Sequence, residues 1–150
     1  MVEGTQRSFG NQTIPLTDVS VAIQSLLPDS VSVHHLGMFR EKLSLQPVEY
    51  YNNLPQSTSS VAKLAIITDP VVATGNTAAA AIQTLREWGV EKIILLSVLG
   101  ARRGITRAAE EWPEGTQVWV GGMDEELTPQ GMIKPGLGDI GDRLFLTIGK

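Results

Sequence analysis

Residues 62–89 read AKLAIITDPVVATGNTAAAAIQTLREWG, and this stretch decides the fold. The apolar run over residues 62–67 predicts a buried strand, and the alanine-rich segment over residues 77–88 has the apolar spacing of a helix. Gly89 follows that helix at the position where glycine commonly ends one. A strand, a loop and a helix in this order form the first part of a β-α-β unit, from which parallel sheets are built.

The same alternation continues after this stretch. Residues 92–99 predict a second buried strand, residues 102–112 a second helix, and residues 117–121 a third strand. The sequence therefore predicts a Rossmann-like α/β fold, in which a mainly parallel sheet is flanked by helices. Ligands of such folds bind beyond the carboxyl ends of the strands.

The regions on either side are less regular. Upstream, the pattern predicts a helix over residues 18–27 and two strands over residues 31–39 and 48–54. Downstream, a long loop rich in glycine and proline, residues 128–142, precedes a last predicted strand over residues 143–148. A loop of this length without secondary structure usually has a function, so we expect one here.

Length and composition are those of an ordinary globular protein. The chain has 150 residues, of which 42% are hydrophobic and 19% charged, so we expect one domain over residues 1–150 with a divergent N-terminal segment over residues 1–30. A net charge of -4 speaks against a broad basic face for nucleic acid. The apolar runs are far shorter than the roughly 20 residues of a membrane helix. Because cysteine is also absent, we expect a cytoplasmic protein without a membrane partner.

The loop between the first predicted strand and helix is the clearest candidate site. It consists of Thr68, Asp69, Pro70, Val71, Val72, Ala73, Thr74, Gly75, Asn76 and Thr77. Backbone N–H groups of residues 73–77 can converge on one phosphate at the positive end of the helix dipole, and Gly75 allows a close approach. The Asp69 carboxylate is placed to bind ribose hydroxyls or a magnesium ion. We call residues 69–77 the phosphate loop.

A simpler interpretation of the phosphate loop is also open. Thr77 can act only as the N-cap of the helix, because threonine is a common capping residue. Asp69 can likewise do no more than cap a turn. The loop by itself does not decide between a phosphate site and an ordinary helix start.

Three blocks of the sequence, in order, resemble the uracil phosphoribosyltransferase family. The first combines residues 35–40, HLGMFR, with residues 47–51, PVEYY. The second is DPVVATGNT in the phosphate loop, which is similar throughout to the family's ribose-5-phosphate loop. Its proline stands where other phosphoribosyltransferases carry a second acid. The third block is residues 133–145, IKPGLGDIGDRLF.

The resemblance implies a reaction and a role for each block. Members of the family join uracil to phosphoribosyl pyrophosphate, in the presence of Mg²⁺, and release UMP and pyrophosphate in pyrimidine salvage. Carried over to this chain, Asp69 contacts the ribose, residues 73–77 hold the 5-phosphate, and Arg40 holds the pyrophosphate. Asp69 and Arg40 are then the catalytic residues, and the protein itself is expected to supply no separate metal centre.

The third block also satisfies the glycine pattern of dinucleotide sites, with GLGDIG at residues 136–141. That pattern requires a strand before it and a helix after it. Here a proline-bearing loop precedes it and β-rich sequence follows, so we reject a dinucleotide site.

By resemblance, residues 133–140 form a base loop. Ile133, Gly138 and Ile140 are expected to contact the uracil edge, and Asp139 to contribute to both the uracil and the phosphoribosyl pyrophosphate sites. The alternative is a glycine-rich connector in which Asp139 only makes turn hydrogen bonds.

Two hypotheses of different classes stay open. The chain is a uracil phosphoribosyltransferase, or it is a catalytically silent nucleotide-binding or regulatory module, which includes a truncated inactive family member. The second arises because the family's arginine-alanine-glycine loop, which helps to hold pyrophosphate, is absent, so we expect the chain to be N-terminally truncated. The resemblance also implies a homo-oligomer, and it raises GTP as an effector because GTP activates some relatives.

Overall fold

The computed structural model describes residues 2–4, 8–9, 12–13, 17–29, 31–40, 47–55, 61–138 and 143. In chain order the elements are β1 (Val2–Gly4), β2 (Ser8–Phe9), β3 (Gln12–Thr13), α1 (Thr17–Leu26), β4 (His34–Arg40), β5 (Pro47–Asn52), β6 (Leu64–Thr68), β7 (Val71–Val72), α2 (Asn76–Trp88), β8 (Lys92–Ala101), α3 (Arg102–Glu111), β9 (Thr116–Asp124), β10 (Glu126–Leu127) and β11 (Ile133–Lys134).

The described strands build one seven-stranded sheet and two short hairpins. The sheet runs β5-β4-β1-β6-β8, and β8 pairs with both β7 and β9. Every pair in it is parallel except β4 with β5, which is antiparallel. The prediction of a mainly parallel α/β sheet is therefore confirmed. The parallel strands end at one edge, and the loops that follow them meet there.

The main core lies between the sheet and helices α2 and α3. Ala65 and Ile67 of β6 and Ile93 and Leu95 of β8 point to this side and are buried. Helix α2 meets them with a row of small residues and with Ile82, which is fully buried. The two helices also contact each other, so they cover the same face of the sheet.

Strand side chains on the opposite face are partly open. Leu64 is 48% exposed, and Trp119 of β9 is 63% exposed. Trp119 pairs with Leu96 across the β8–β9 ladder, so both residues belong to this face. The two sides of the sheet are therefore unequal: the described helices α2 and α3 bury one side, and apolar side chains remain exposed on the other.

The structure corrects several predictions. The N-terminal segment contributes β1, a strand in the middle of the sheet, which the sequence pattern did not indicate. The long loop over residues 128–142 is not free of secondary structure, because it contains β11, which pairs with β10 just before the loop. Of the strand predicted over residues 143–148, only Arg143 is described, and it is helical.

None of the helices in the described ranges combines the length and the apolar character that crossing a membrane requires.

Candidate functional site

The phosphate loop leaves the carboxyl edge of the sheet directly after β6. Backbone hydrogen bonds to β8 hold its first residues: the Asp69 N–H donates to the Leu96 carbonyl at 3.0 Å, and the Pro70 carbonyl accepts the N–H groups of Val98 and Leu99, each at 3.1 Å. Strand β7 then continues the pairing with β8. The start of the loop is therefore as well anchored as a strand.

Helix α2 begins at Asn76, with Gly75 as its N-cap. Gly75 has φ 79°, in the left-handed region that glycine adopts at little cost, and no side chain caps the helix. Thr77 lies inside the first turn, so the interpretation of Thr77 as the N-cap is wrong. The first intrahelical bond runs from Ala79 N–H to the Gly75 carbonyl at 2.8 Å. The N–H groups before Ala79 have no partner within the helix and lie at its positive end.

Asp69 is buried, with 8% of its surface exposed, at the tip of β6. Its Oδ1 accepts a long hydrogen bond of 3.4 Å from the Val71 N–H, so the expected turn interaction is present. The two oxygens of a carboxylate together offer about four acceptor sites. The structure thus combines the turn role with a carboxylate at the opening of the phosphate loop.

The base loop and the phosphate loop share a small apolar cluster. Ala73 of the phosphate loop, Ala101 at the end of β8, and Ile133 of β11 are all buried and pack together. Ile133 is only 7% exposed, because its side chain is buried in this cluster. A ligand at this position would therefore contact the Ile133 backbone. Gly138 is exposed at φ 72°. The other two predicted base-site residues, Asp139 and Ile140, lie outside the described residues.

Arg40 is the last residue of β4. Strands β4, β1 and β6 are parallel, and their registers place His35 level with Glu3 and Thr68. Arg40 is therefore five residues beyond the end of β6, about 16 Å further along the strand direction. Its backbone lies on the β4–β5 arm that extends past the carboxyl edge, and its side chain is outside the described part of the structure.

A pair of opposite charges lies at the start of α3. Arg102 forms two hydrogen bonds of 2.6 Å to the Glu125 carboxylate. These hydrogen bonds lower the pKa of Glu125, and the Glu125 carboxylate in turn raises the pKa of Arg102. Both side chains are more than half exposed, so the pair is a surface clamp between α3 and the end of β9. Within the described ranges, no three acidic, histidine or cysteine residues come together as a metal site.

Sequence reasoning missed Asp124 at the end of β9. Its Oδ2 accepts the Gly136 N–H at 2.9 Å, which ties β9 to the base loop. A single aspartate after an alternating strand carries no local signal of this kind, because the partner is twelve residues away and its orientation depends on the turn between them.

The chain is similar in sequence to known proteins. The family model for uracil phosphoribosyltransferase matches residues 19–147. A Schizosaccharomyces pombe protein that carries the family's name is 47% identical over 124 residues, which are 83% of this chain and 58% of the relative. The uracil phosphoribosyltransferase of Finegoldia magna is 43% identical over 123 residues, 82% of this chain and 57% of the relative. The chain thus spans little more than half the length of these relatives.

Solved structures show the same fold. A protein from Aquifex aeolicus superposes with a TM-score of 0.77 at 30% identity, covering 96% of this chain and 64% of its own. A hypoxanthine phosphoribosyltransferase from Staphylococcus aureus superposes with a TM-score of 0.55 at 13% identity, over 84% of this chain and 62% of its own, and supports the fold alone. The match over residues 19–147 and the identity to the named relatives place the chain in the uracil phosphoribosyltransferase family.

Proposed function

We propose that this chain carries the substrate-binding part of a uracil phosphoribosyltransferase, which converts uracil and phosphoribosyl pyrophosphate to UMP and pyrophosphate. In this reaction the bond between ribose C1 and a pyrophosphate oxygen breaks, and pyrophosphate leaves with the electron pair. A bond from uracil N1 to C1 forms, and N1 gives up its proton. The transition state has oxocarbenium character, so positioning and electrostatics supply the catalysis.

One observation carries the proposal: the phosphate loop at the start of α2 and the base loop contribute residues to one buried apolar cluster. A 5-phosphate at the helix start and a pyrimidine at the base loop would belong to the same nucleotide. Ala73 belongs to the phosphate loop and Ile133 to the base loop, and they pack together. This proximity favours a ribonucleotide over a free phosphate or a free base.

The proposed roles combine the positions of the described residues with the family resemblance. The N–H groups of residues 73–77 would bind the 5-phosphate, and Asp69, at the loop's opening, would accept hydrogen bonds from the ribose hydroxyls. Main-chain groups of residues 133–140 would bind the uracil edge, with Asp139 also reaching the phosphoribosyl group. Arg40 would meet the pyrophosphate from the β4–β5 arm.

Mg²⁺ would enter with phosphoribosyl pyrophosphate. Such ions are commonly held by one or two carboxylates together with substrate phosphates, and keep several waters. The described residues fit that pattern, since Asp69 is a buried carboxylate and no group of three or more acidic, histidine or cysteine residues comes together among them. Asp69 would hold the ion only jointly with the substrate, and the ion would neutralise charge on the leaving pyrophosphate.

The proposal also includes properties of the protein other than its substrate site. A cytoplasmic location, a homo-oligomer and an effector role for GTP stay predictions. The first follows from composition and the other two from the resemblance.

The test is turnover of labelled uracil. The full chain with phosphoribosyl pyrophosphate and Mg²⁺ is expected to form UMP. Asp69→Asn is expected to lower the rate at least about 100-fold, the scale of removing a group that stabilises transition-state charge. Asp29→Asn is the matched control, because Asp29 is exposed and remote in sequence from both loops. Absence of UMP with a chain that circular dichroism shows to be folded would contradict the proposal.

A further inference from the structure

The described part of the base loop is hydrogen-bonded to the end of β9, to the strand after it, and to Arg143, whose Nη1 donates to the Leu137 carbonyl at 3.0 Å. Strand β10 pairs with β11 through Glu126 with Lys134 and Leu127 with Ile133. At the turn between them, the Met132 N–H donates to the Thr128 Oγ1 at 3.1 Å, and the Thr128 N–H donates to the Met132 carbonyl at 2.7 Å. These bonds fix the loop only as far as Lys134.

Beyond Lys134, the Asp124 carboxylate forms a hydrogen bond with the base-loop backbone. Its Oδ2 accepts the Gly136 N–H at 2.9 Å. Gly136 has φ 57°, and a Cβ there would overlap the Ile133 carbonyl, so the chain folds back tightly between residues 133 and 136. The bond to Asp124 fixes the direction in which this turn sends the backbone toward Gly138.

Asp124 is itself fixed relative to the phosphate loop. It pairs with Ala101 in the β8–β9 ladder, and Ala101 is the fully buried member of the cluster with Ala73 and Ile133. The carboxylate of Asp124 therefore extends from the same junction that supports the phosphate loop.

We propose that Asp124 is a positioning residue for base recognition: its carboxylate sets where the base-loop backbone stands relative to the phosphate loop. Asp124 need not touch the base, because it acts through the Gly136 N–H. This inference rests on the proposed function for the identity of the base. It predicts that loss of the carboxylate weakens binding of the pyrimidine part of a nucleotide and spares binding of the phosphoribosyl part.

The experiment compares two ligands by calorimetry. UMP would use both loops, whereas ribose 5-phosphate would depend mainly on the phosphate loop. Asp124→Ala is expected to weaken UMP binding about tenfold, the scale of a lost hydrogen bond to a charged group, and to weaken ribose 5-phosphate binding far less. Asp124→Asn keeps an acceptor oxygen and is expected to recover most of the loss. Glu125→Ala removes the neighbouring carboxylate and is expected to affect neither ligand.

Two outcomes would overturn the inference: equal weakening of both ligands, or unchanged UMP binding in folded Asp124→Ala. If the unsubstituted chain bound neither ligand, the proposed function would fail, and amide exchange would still test Asp124. The Gly136 amide is expected to exchange faster in Asp124→Ala than in Glu125→Ala. An unchanged Gly136 rate would show that the carboxylate does not hold the loop.

Discussion

Gly75 and Gly104 meet backbone to backbone. A Cβ on Gly75 would overlap the Gly104 carbonyl, and a Cβ on Gly104 would overlap the Ala73 carbonyl and come within 3.0 Å of the Gly75 nitrogen. The first turn of α3 therefore packs directly on the backbone of the phosphate loop. Only glycine at both positions permits the two backbones to come this close. The shape of the phosphate loop therefore depends on α3, which lies beyond α2 and β8 in the sequence.

Gly104→Ala is expected to destabilise the protein by about 1–3 kcal/mol, the usual cost of overfilling a packed contact. Helix propensity acts in the opposite direction, because alanine is favoured over glycine inside a helix by about 1 kcal/mol. The control is Gly122→Ala, whose Cβ would make an ordinary contact of 3.6 Å with Leu99. Urea unfolding gives the free energy of unfolding of both variants. Equal free energies would contradict the close contact between Gly104 and the phosphate loop.

The two glycines at the ends of α2 should differ in their tolerance of alanine. Gly89 ends the helix at φ 107°, but a Cβ there would meet only Val61, at 3.9 Å. Gly89→Ala is therefore expected to cost only the strain of a left-handed alanine, about 1–2 kcal/mol. Gly75→Ala adds the overlap with Gly104 and is expected to cost more. The free energies of unfolding of the two variants give the comparison, and a larger loss for Gly89→Ala would refute it.

Thr68 offers a test of a buried hydroxyl next to the site. It is fully buried at the end of β6, and its Oγ1 has no hydrogen-bond partner among the described residues. Thr68→Val keeps the shape and removes the hydroxyl, so it is expected to stabilise the fold by about 1 kcal/mol. Thr68→Ser keeps the hydroxyl and loses a methyl group, so it is expected to destabilise by a similar amount, about 1 kcal/mol. A less stable valine variant in thermal unfolding would mean that the hydroxyl is satisfied.

The Arg102–Glu125 pair predicts a pH dependence. The hydrogen bonds from Arg102 lower the pKa of Glu125 in the folded state. The pair's contribution to stability is therefore complete above the ordinary glutamate pKa and is lost as the pH falls through the lower, folded-state pKa. Observed by NMR, the Glu125 carboxyl is expected to titrate below the ordinary value of 4.5. In Arg102→Gln the titration midpoint of the Glu125 carboxyl is expected to rise. In Arg103→Gln the hydrogen bonds between Arg102 and Glu125 stay intact, so the midpoint is expected not to move.

Much of the central fold could be predicted from local pattern. The strand over residues 62–67 was observed as β6, and the helices over residues 77–88 and 102–112 as α2 and α3, with ends shifted by one or two residues. Gly89 was confirmed as the C-cap, since its N–H donates to the Leu85 and Arg86 carbonyls. These features depend on apolar periodicity and on the conformational freedom of glycine, which neighbouring residues encode.

The candidate site was predicted less completely. The order of Asp69, small residues and a helix start indicated where a phosphate would bind, because that chemistry needs only a few consecutive residues. The sequence did not reveal that Gly75 rather than Thr77 is the N-cap of the helix, nor that the side chain of Ile133 is buried in the cluster. Both outcomes depend on how closely α3 and the base loop pack against the phosphate loop.

The sequence by itself determined the central strands β6, β8 and β9, the helices α2 and α3, and the helix start that is the candidate phosphate site. Tertiary structure decided which segments meet. Strand β1 is three residues long, too short for a periodic signal, and it is a strand only because β4 and β6 pair with it on either side. The Gly104 contact with the phosphate loop and the Asp124 bond to Gly136 likewise join residues far apart along the chain. Such contacts depend on backbone distances that no local pattern encodes, since they are set only when the sheet and its helices have packed.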